Sequence, residues 1–286
     1  MRPNSSYWIW FSPRTGSTLL CELLTSTKAA GRPQEHFNIE AENGIGMAQK
    51  YKVSNYAELR QKIWDLGATP NGVCAVKSSL FAARWDPLCE EMKALLLEDG
   101  NLPGTSDPDF VPPALTVGPN LRGTFGPAEV QKNSFQVLWG DLFPNCKHIF
   151  LSRRNKVRQA VSWWKAIKNE SWHLREGENQ QDDAAFYEQH YDFDALSHLF
   201  REAVLREAAT QAYFLENDIQ PFNLFYEDFI QDISGTIQRI FRYLDLELVN
   251  LAEIKSSLRR TATDNSEIWV QRFRADLQAK WDKQSW

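Results

Sequence analysis

Short apolar runs recur along the chain, each ending at a polar break. The first, Trp8-Ile9-Trp10-Phe11, runs into Ser12-Pro13-Arg14-Thr15-Gly16-Ser17-Thr18 and then becomes amphipathic from Leu19, which predicts a strand, a tight loop and a helix start. Similar runs at Gly72–Lys77, Lys147–Ser152 and Pro221–Tyr226 predict three further strands. Between them, helical spacing of apolar residues covers Ser17–Thr27, Asn55–Leu66, Glu129–Leu142, Lys156–Asn169, Phe193–Asn217 and Ser234–Leu244. Strands alternating with helices predict an α/β fold with a mostly parallel central sheet flanked by helices. No internal repeat is visible, and 286 residues suit a single domain spanning 1–286. From Gly100 to Pro127 periodicity gives way to a proline- and glycine-rich run. That stretch reads as a loop insertion, either a lid or a decoration.

Composition changes this picture mainly by exclusion. A net charge of −5 gives no general attraction to nucleic acid or an anionic membrane, so any anion must be held locally. No apolar run approaches the ~18 residues of a membrane span, and the first residues lack a leader pattern, so the expected location is cytoplasmic without stable membrane insertion. Cys21, Cys74, Cys89 and Cys146 are far apart and form no C-x-x-C, which predicts reduced thiols. The histidines at 36, 148, 173, 190 and 198 show no metal-ligand spacing, and no metal is expected.

The first break carries the most chemistry. A strand feeding a small-residue loop and a helix turns several backbone N–H groups toward one point, where the helix dipole also favours an anion. Gly16 permits close approach of a ligand, and Thr15, Ser17 and Thr18 add hydroxyl donors. A Walker loop would require a lysine before the Ser/Thr, and Arg14 is the only cation present. This favours a metal-free anion site over a nucleotide hydrolase. A second strand-to-helix junction concentrates Arg153, Arg154, Lys156 and Arg158. Arg154 can present a fork to phosphate oxygens, and Ser162 lies eight residues on, about two helical turns later. Two anchors suit a nucleotide with two separated anionic groups. The plainer alternatives are a helix cap in an ordinary βα turn and a solvated basic helix start.

Pro13-Arg14-Thr15-Gly16-Ser17-Thr18 together with the Arg154 to Ser162 pair resembles the sulfotransferase superfamily. Gly31-Arg32-Pro33-Gln34-Glu35-His36-Phe37, the run from Arg154 to Ser162, and Asn265-x-x-x-Trp269-x-x-Arg272-Phe273 are similar to its bacterial carbohydrate branch, typified by trehalose 2-sulfotransferase. The resemblance implies 3′-phosphoadenosine-5′-phosphosulfate (PAPS) as donor, with the 5′-phosphosulfate on residues 13–18 and the 3′-phosphate on Arg154 and Ser162. It implies Glu35 as general base and a sugar or glycolipid hydroxyl as acceptor; a homodimer is a further expectation. Arg14 would stabilise the leaving group. His36 departs from the aromatic residue expected there, and its imidazole can itself act as a base. Lys77, at the predicted carboxyl edge of the sheet, and Trp172, beyond the basic helix, are candidate acceptor contacts alongside His36. The competing expectations are a nucleotide-binding module without catalysis and a P-loop kinase.

Overall fold

The computed structural model describes residues 2–38, 46–79, 91–92, 94–95, 140–179, 182–248, 250, 254, 256–258 and 263–279. The expected insertion at 100–127, and the helix expected over Glu129–Leu142 apart from its last three positions, lie outside the described residues.

The chain opens with strand β1 (Ser5–Phe11), followed by α1 (Ser17–Ser26), α2 (Met47–Tyr51), α3 (Tyr56–Gly67) and β2 (Val73–Ser78). After β3 (Cys146–Ser152) come α4 (Lys156–Lys168), α5 (Ala184–Gln189) and α6 (Phe193–Glu216). Strand β4 (Phe222–Phe225) leads into α7 (Tyr226–Gln231), α8 (Ile233–Tyr243) and α9 (Ser266–Ala279). The strands form one sheet in the order β2-β1-β3-β4, and every pairing is parallel. The expected α/β architecture is therefore the observed one.

The reason β1 reads as a continuous apolar run is that both of its faces are covered. Tyr7 and Ile9 pack with Leu20 and Leu24 of α1 and Ile237, Ile240 and Phe241 of α8. Trp8 and Trp10 point the other way, into a cluster with Leu59 and Ile63 of α3 and Phe214 of α6. Successive residues thus serve opposite layers, the period-two rule for strands. A third cluster joins α4, α5, α6 and α9 through Val161, Phe186, Leu196, Trp269 and Phe273. Trp269, part of the late sequence motif, is fully buried there, and its indole N–H donates to the Tyr187 carbonyl at 2.5 Å.

Helix starts follow their capping residues. Asn55, Asn155, Asp183, Asp192 and Asp232 each accept a backbone N–H at the start of α3, α4, α5, α6 and α8. Among the described residues no helix is long and apolar enough to cross a membrane. Because β2 and β3 flank β1 on opposite sides, the carboxyl ends of β1 and β3 open onto the crevice where doubly wound sheets bind ligands.

Candidate active site

The β1–α1 loop turns twice through left-handed backbone, at Arg14 (φ 67°) and Gly16 (φ 84°). Gly16 is required for a second reason: a Cβ there would lie 2.7 Å from the Tyr226 ring at the start of α7. Gly16 caps α1 without a side-chain hydrogen bond of its own, as a residue with no side chain must. The Thr15 hydroxyl donates to the Ser12 carbonyl at 2.8 Å.

Arg14 folds inward. Its Nε donates to Ser162 Oγ at 3.0 Å and its Nη1 to the Trp172 carbonyl. Burial, reinforced by nearby Arg153, pushes the Arg14 guanidinium down to about 10, which leaves it charged at neutral pH. Arg153 is itself buried, donates through Nη1 to the Arg14 carbonyl at 3.1 Å, and lies 4.6 Å from the centre of the Tyr226 ring. The two strand-to-helix junctions anticipated as separate anion sites therefore meet, and Arg14 is the side chain that touches Ser162.

Arg154 is placed differently. Its guanidinium is exposed, forms a fork with both carboxylate oxygens of Asp228 (2.5 and 2.7 Å) and lies over the Phe225 ring at 4.0 Å. Among the described residues it makes no hydrogen bond to Ser162. The Glu227 carboxylate accepts the backbone N–H groups of Arg154 (3.0 Å) and Asn155 (3.1 Å). Burial pushes that carboxyl up, but these N–H groups outweigh it and hold Glu227 below its ordinary value.

Across the loop, Lys77 at the end of β2 bridges two groups. Its Nζ lies 3.1 Å from Thr18 Oγ1 and 3.1 Å from Glu35 Oε1. The backbone N–H of Lys77 donates to the Gln34 carbonyl at 3.0 Å, fastening the 31–37 segment to the sheet edge. Glu35 keeps a third of its side chain exposed, whereas His36 turns into the core and Phe37 stacks on Trp8 at 5.8 Å. Burial lowers the His36 imidazole to about 4, so it is neutral at pH 7. Trp172 is half exposed and contributes its carbonyl to Arg14. His173 is held below its ordinary value by burial and by the positive charges of Arg14 and Lys77.

Ser162, Arg158 and Lys165 of α4 face a cleft of about 340 Å³ whose other walls include Tyr226, Ser266 and Glu267. Arg158 pairs there with Glu267, while Lys165 pairs with Asp182 at 2.5 Å. Tyr226, Asp228 and Gln159 are site residues that sequence reasoning did not single out. Gln159 carried one faint signal, a polar residue in the stripe of α4 that also holds Ala160, Val161 and Ala166.

The site is thus a glycine loop at the switch point of a parallel sheet in an α/β protein, with cations beside the loop and a carboxylate within reach. The family described as Stf0 sulphotransferase matches residues 6–76 and 130–276. The chain belongs to that family, and its chemistry is sulfuryl transfer. It is 25% identical over 296 residues to trehalose 2-sulfotransferase of Mycolicibacterium smegmatis, covering 96% of each chain. The trehalose 2-sulfotransferase of Mycobacterium tuberculosis is 23% identical over 293 residues, covering 94% of each. A crystal structure of a sulfotransferase from Alicyclobacillus acidocaldarius aligns with 97% of this chain and 94% of its own at 15% identity and a TM-score of 0.44.

Proposed function

We propose that the protein transfers the sulfuryl group of PAPS to a hydroxyl of a carbohydrate, with Glu35 as general base. The observation that carries this reading is Lys77, whose ammonium spans the anion loop at Thr18 and the carboxylate of Glu35, each at 3.1 Å. That bridge sets an acid–base group one cation away from the loop suited to a phosphosulfate. The family supports the transfer itself, and the mycobacterial trehalose 2-sulfotransferases support a sugar-type acceptor.

In the reaction the acceptor oxygen attacks sulfur and a new S–O bond forms. The bond from sulfur to the bridging oxygen breaks, and its electron pair leaves on the 5′-phosphate of adenosine 3′,5′-bisphosphate. The acceptor proton passes to Glu35, giving a sulfate ester. Pro13, Arg14, Thr15, Gly16, Ser17 and Thr18 form the cradle for the 5′-phosphosulfate, with Arg14 and Lys77 positioned to offset charge on the departing oxygens. Arg154 and Ser162 are assigned to the 3′-phosphate. Arg154 would exchange Asp228 for that phosphate, since a guanidinium fork fits either anion. Trp172 and Lys77 are assigned to contacts with the acceptor. His36 is the poorer candidate for the base, because its ring is sealed in the core while the Glu35 carboxylate stands a third exposed beside Lys77.

Calorimetric titration with adenosine 3′,5′-bisphosphate, beside AMP and ATP with and without Mg²⁺, tests the donor assignment. Metal-independent binding that weakens when the 3′-phosphate is absent is the expected result, followed by sulfation of sugars on addition of PAPS. Preference for Mg²⁺·ATP would overturn it in favour of a kinase.

A further inference from the structure

Two carbonyls of the anion loop are held by side chains from outside it. Gln159 Nε2 of α4 donates to the Pro13 carbonyl at 2.8 Å and to Ser12 Oγ at 2.9 Å, while Arg153 Nη1 donates to the Arg14 carbonyl at 3.1 Å. In a trans peptide the carbonyl and the N–H of the next residue point in opposite directions. Tying the Pro13 carbonyl to Gln159 of α4 therefore turns the Arg14 N–H away from that side chain, and tying the Arg14 carbonyl to Arg153 turns the Thr15 N–H away from Arg153. A released Pro13 carbonyl could swing toward the anion and repel it.

The energetics of Gln159 point the same way. Its side chain is wholly buried, yet its Oε1 finds no partner among the described residues. A buried acceptor left unpaired costs stability, and what offsets that cost is the pair of hydrogen bonds from Nε2 to Ser12 and Pro13. Gln159 is thus poorly explained by packing and well explained by the loop it grips.

We propose that Gln159 is a positioning residue for the donor, setting the direction of the Arg14 N–H so that the loop receives the 5′-phosphosulfate. The proposal rests on the sulfotransferase reading and adds to it a residue that never touches the substrate. It should weigh more on the 5′ end of the nucleotide than on the 3′ end, because among the described residues the side-chain hydrogen bonds of Gln159 go to Ser12 and Pro13 of the loop.

The experiment compares Gln159→Met with the wild type by calorimetric titration of adenosine 3′,5′-bisphosphate and adenosine 3′-monophosphate, with urea unfolding in parallel. Affinity for the bisphosphate should fall about tenfold, the scale of one hydrogen bond to a charged group. Affinity for the 3′-monophosphate should stay within twofold, and the urea midpoint should fall only as far as the two lost hydrogen bonds require, with one cooperative transition showing that the variant is folded. With PAPS, the KM for donor should increase while the KM for acceptor is unchanged. Gln159→Asn, which keeps the amide but draws it back by one methylene, should show the same asymmetry and serves if the Met variant does not fold. Equal losses for both nucleotides, or a bisphosphate affinity unchanged in either folded variant, would overturn the proposal while leaving the donor assignment standing. A wild-type protein that binds no adenosine 3′,5′-bisphosphate would instead remove the donor assignment, and the proposal with it.

Discussion

Glu35 and His36 show how far one position along the chain can change chemistry. The carboxylate stands at the sheet edge against Lys77, and the neighbouring imidazole is sealed in the core. Glu35→Gln should lower turnover by roughly 10²–10⁴-fold, the usual worth of general base catalysis, without changing the affinity for adenosine 3′,5′-bisphosphate. His36→Gln should leave turnover per folded molecule within a few-fold; a collapse there beside an active Glu35→Gln variant would reassign the base. Arg154 offers a second test at this scale. If it serves the 3′-phosphate, Asp228 competes with that phosphate for the guanidinium. Asp228→Asn should then tighten the bisphosphate and Arg154→Ala should weaken it about tenfold, whereas AMP responds to neither. Residue type and spacing made Arg14, Lys77, Arg154 and Ser162 legible as candidates, while Glu35 was legible only through the resemblance of its segment to the family. They did not reveal their resting partners, because Asp228 lies 74 residues beyond Arg154 and Ser162 lies 148 beyond Arg14. Such pairings are set by which strands become neighbours.

At the scale of elements, the loop between β1 and α1 is specified by sterics as much as by hydrogen bonds. Gly16 combines a positive φ with the Tyr226 ring at its back. Gly16→Ala should therefore destabilise the fold by about 1–3 kcal/mol and abolish detectable donor binding. Adding Tyr226→Ala should recover only part of the loss, since it relieves the contact and leaves the φ; full recovery, read by urea unfolding and calorimetry, would place the whole effect on the ring. Apart from the fourteen-residue α9, which was not predicted, the longer helices within the described residues were readable because their signals are local. The strand-period run of β1, the asparagine and aspartate caps of α3, α4, α6 and α8, and the apolar stripe of α6 all lie within a few residues of what they specify. Helices α2, α5 and α7 have only five or six residues, too few to display a helical period, and they went unseen. Alternation of elements gave a parallel sheet, yet the order β2-β1-β3-β4 depends on how the layers cover β1, which no local pattern encodes.

Across the whole molecule, the two layers that cover β1 also decide how stability responds to pH. His36 and His148 are both lowered to about 4, chiefly by burial, and the His148 Nδ1 accepts the Trp10 indole N–H at 2.9 Å. Unfolding exposes both rings and restores a pKa near 6.5, so the unfolded chain binds more protons as pH falls. Their contribution is complete above pH 6.5 and is lost on acidification toward 4, at about 1.4 kcal/mol per pH unit for each histidine. Three thiols act on the opposite side. Burial raises Cys21, Cys74 and Cys146 to about 12, so the unfolded chain loses protons first above pH 9 and the native state weakens there. Urea midpoints measured under reducing conditions should form a plateau from about pH 6.5 to 9 with a fall on each side. His148→Gln should reduce the acid slope, leaving the shares of His36 and His173, whatever it does to the plateau. A slope unchanged by that substitution would mean that the ring titrates as freely in the folded protein as in the unfolded one. The second core layer would then be open to water at Trp10, contrary to the packing that positions β1 and the loop it carries.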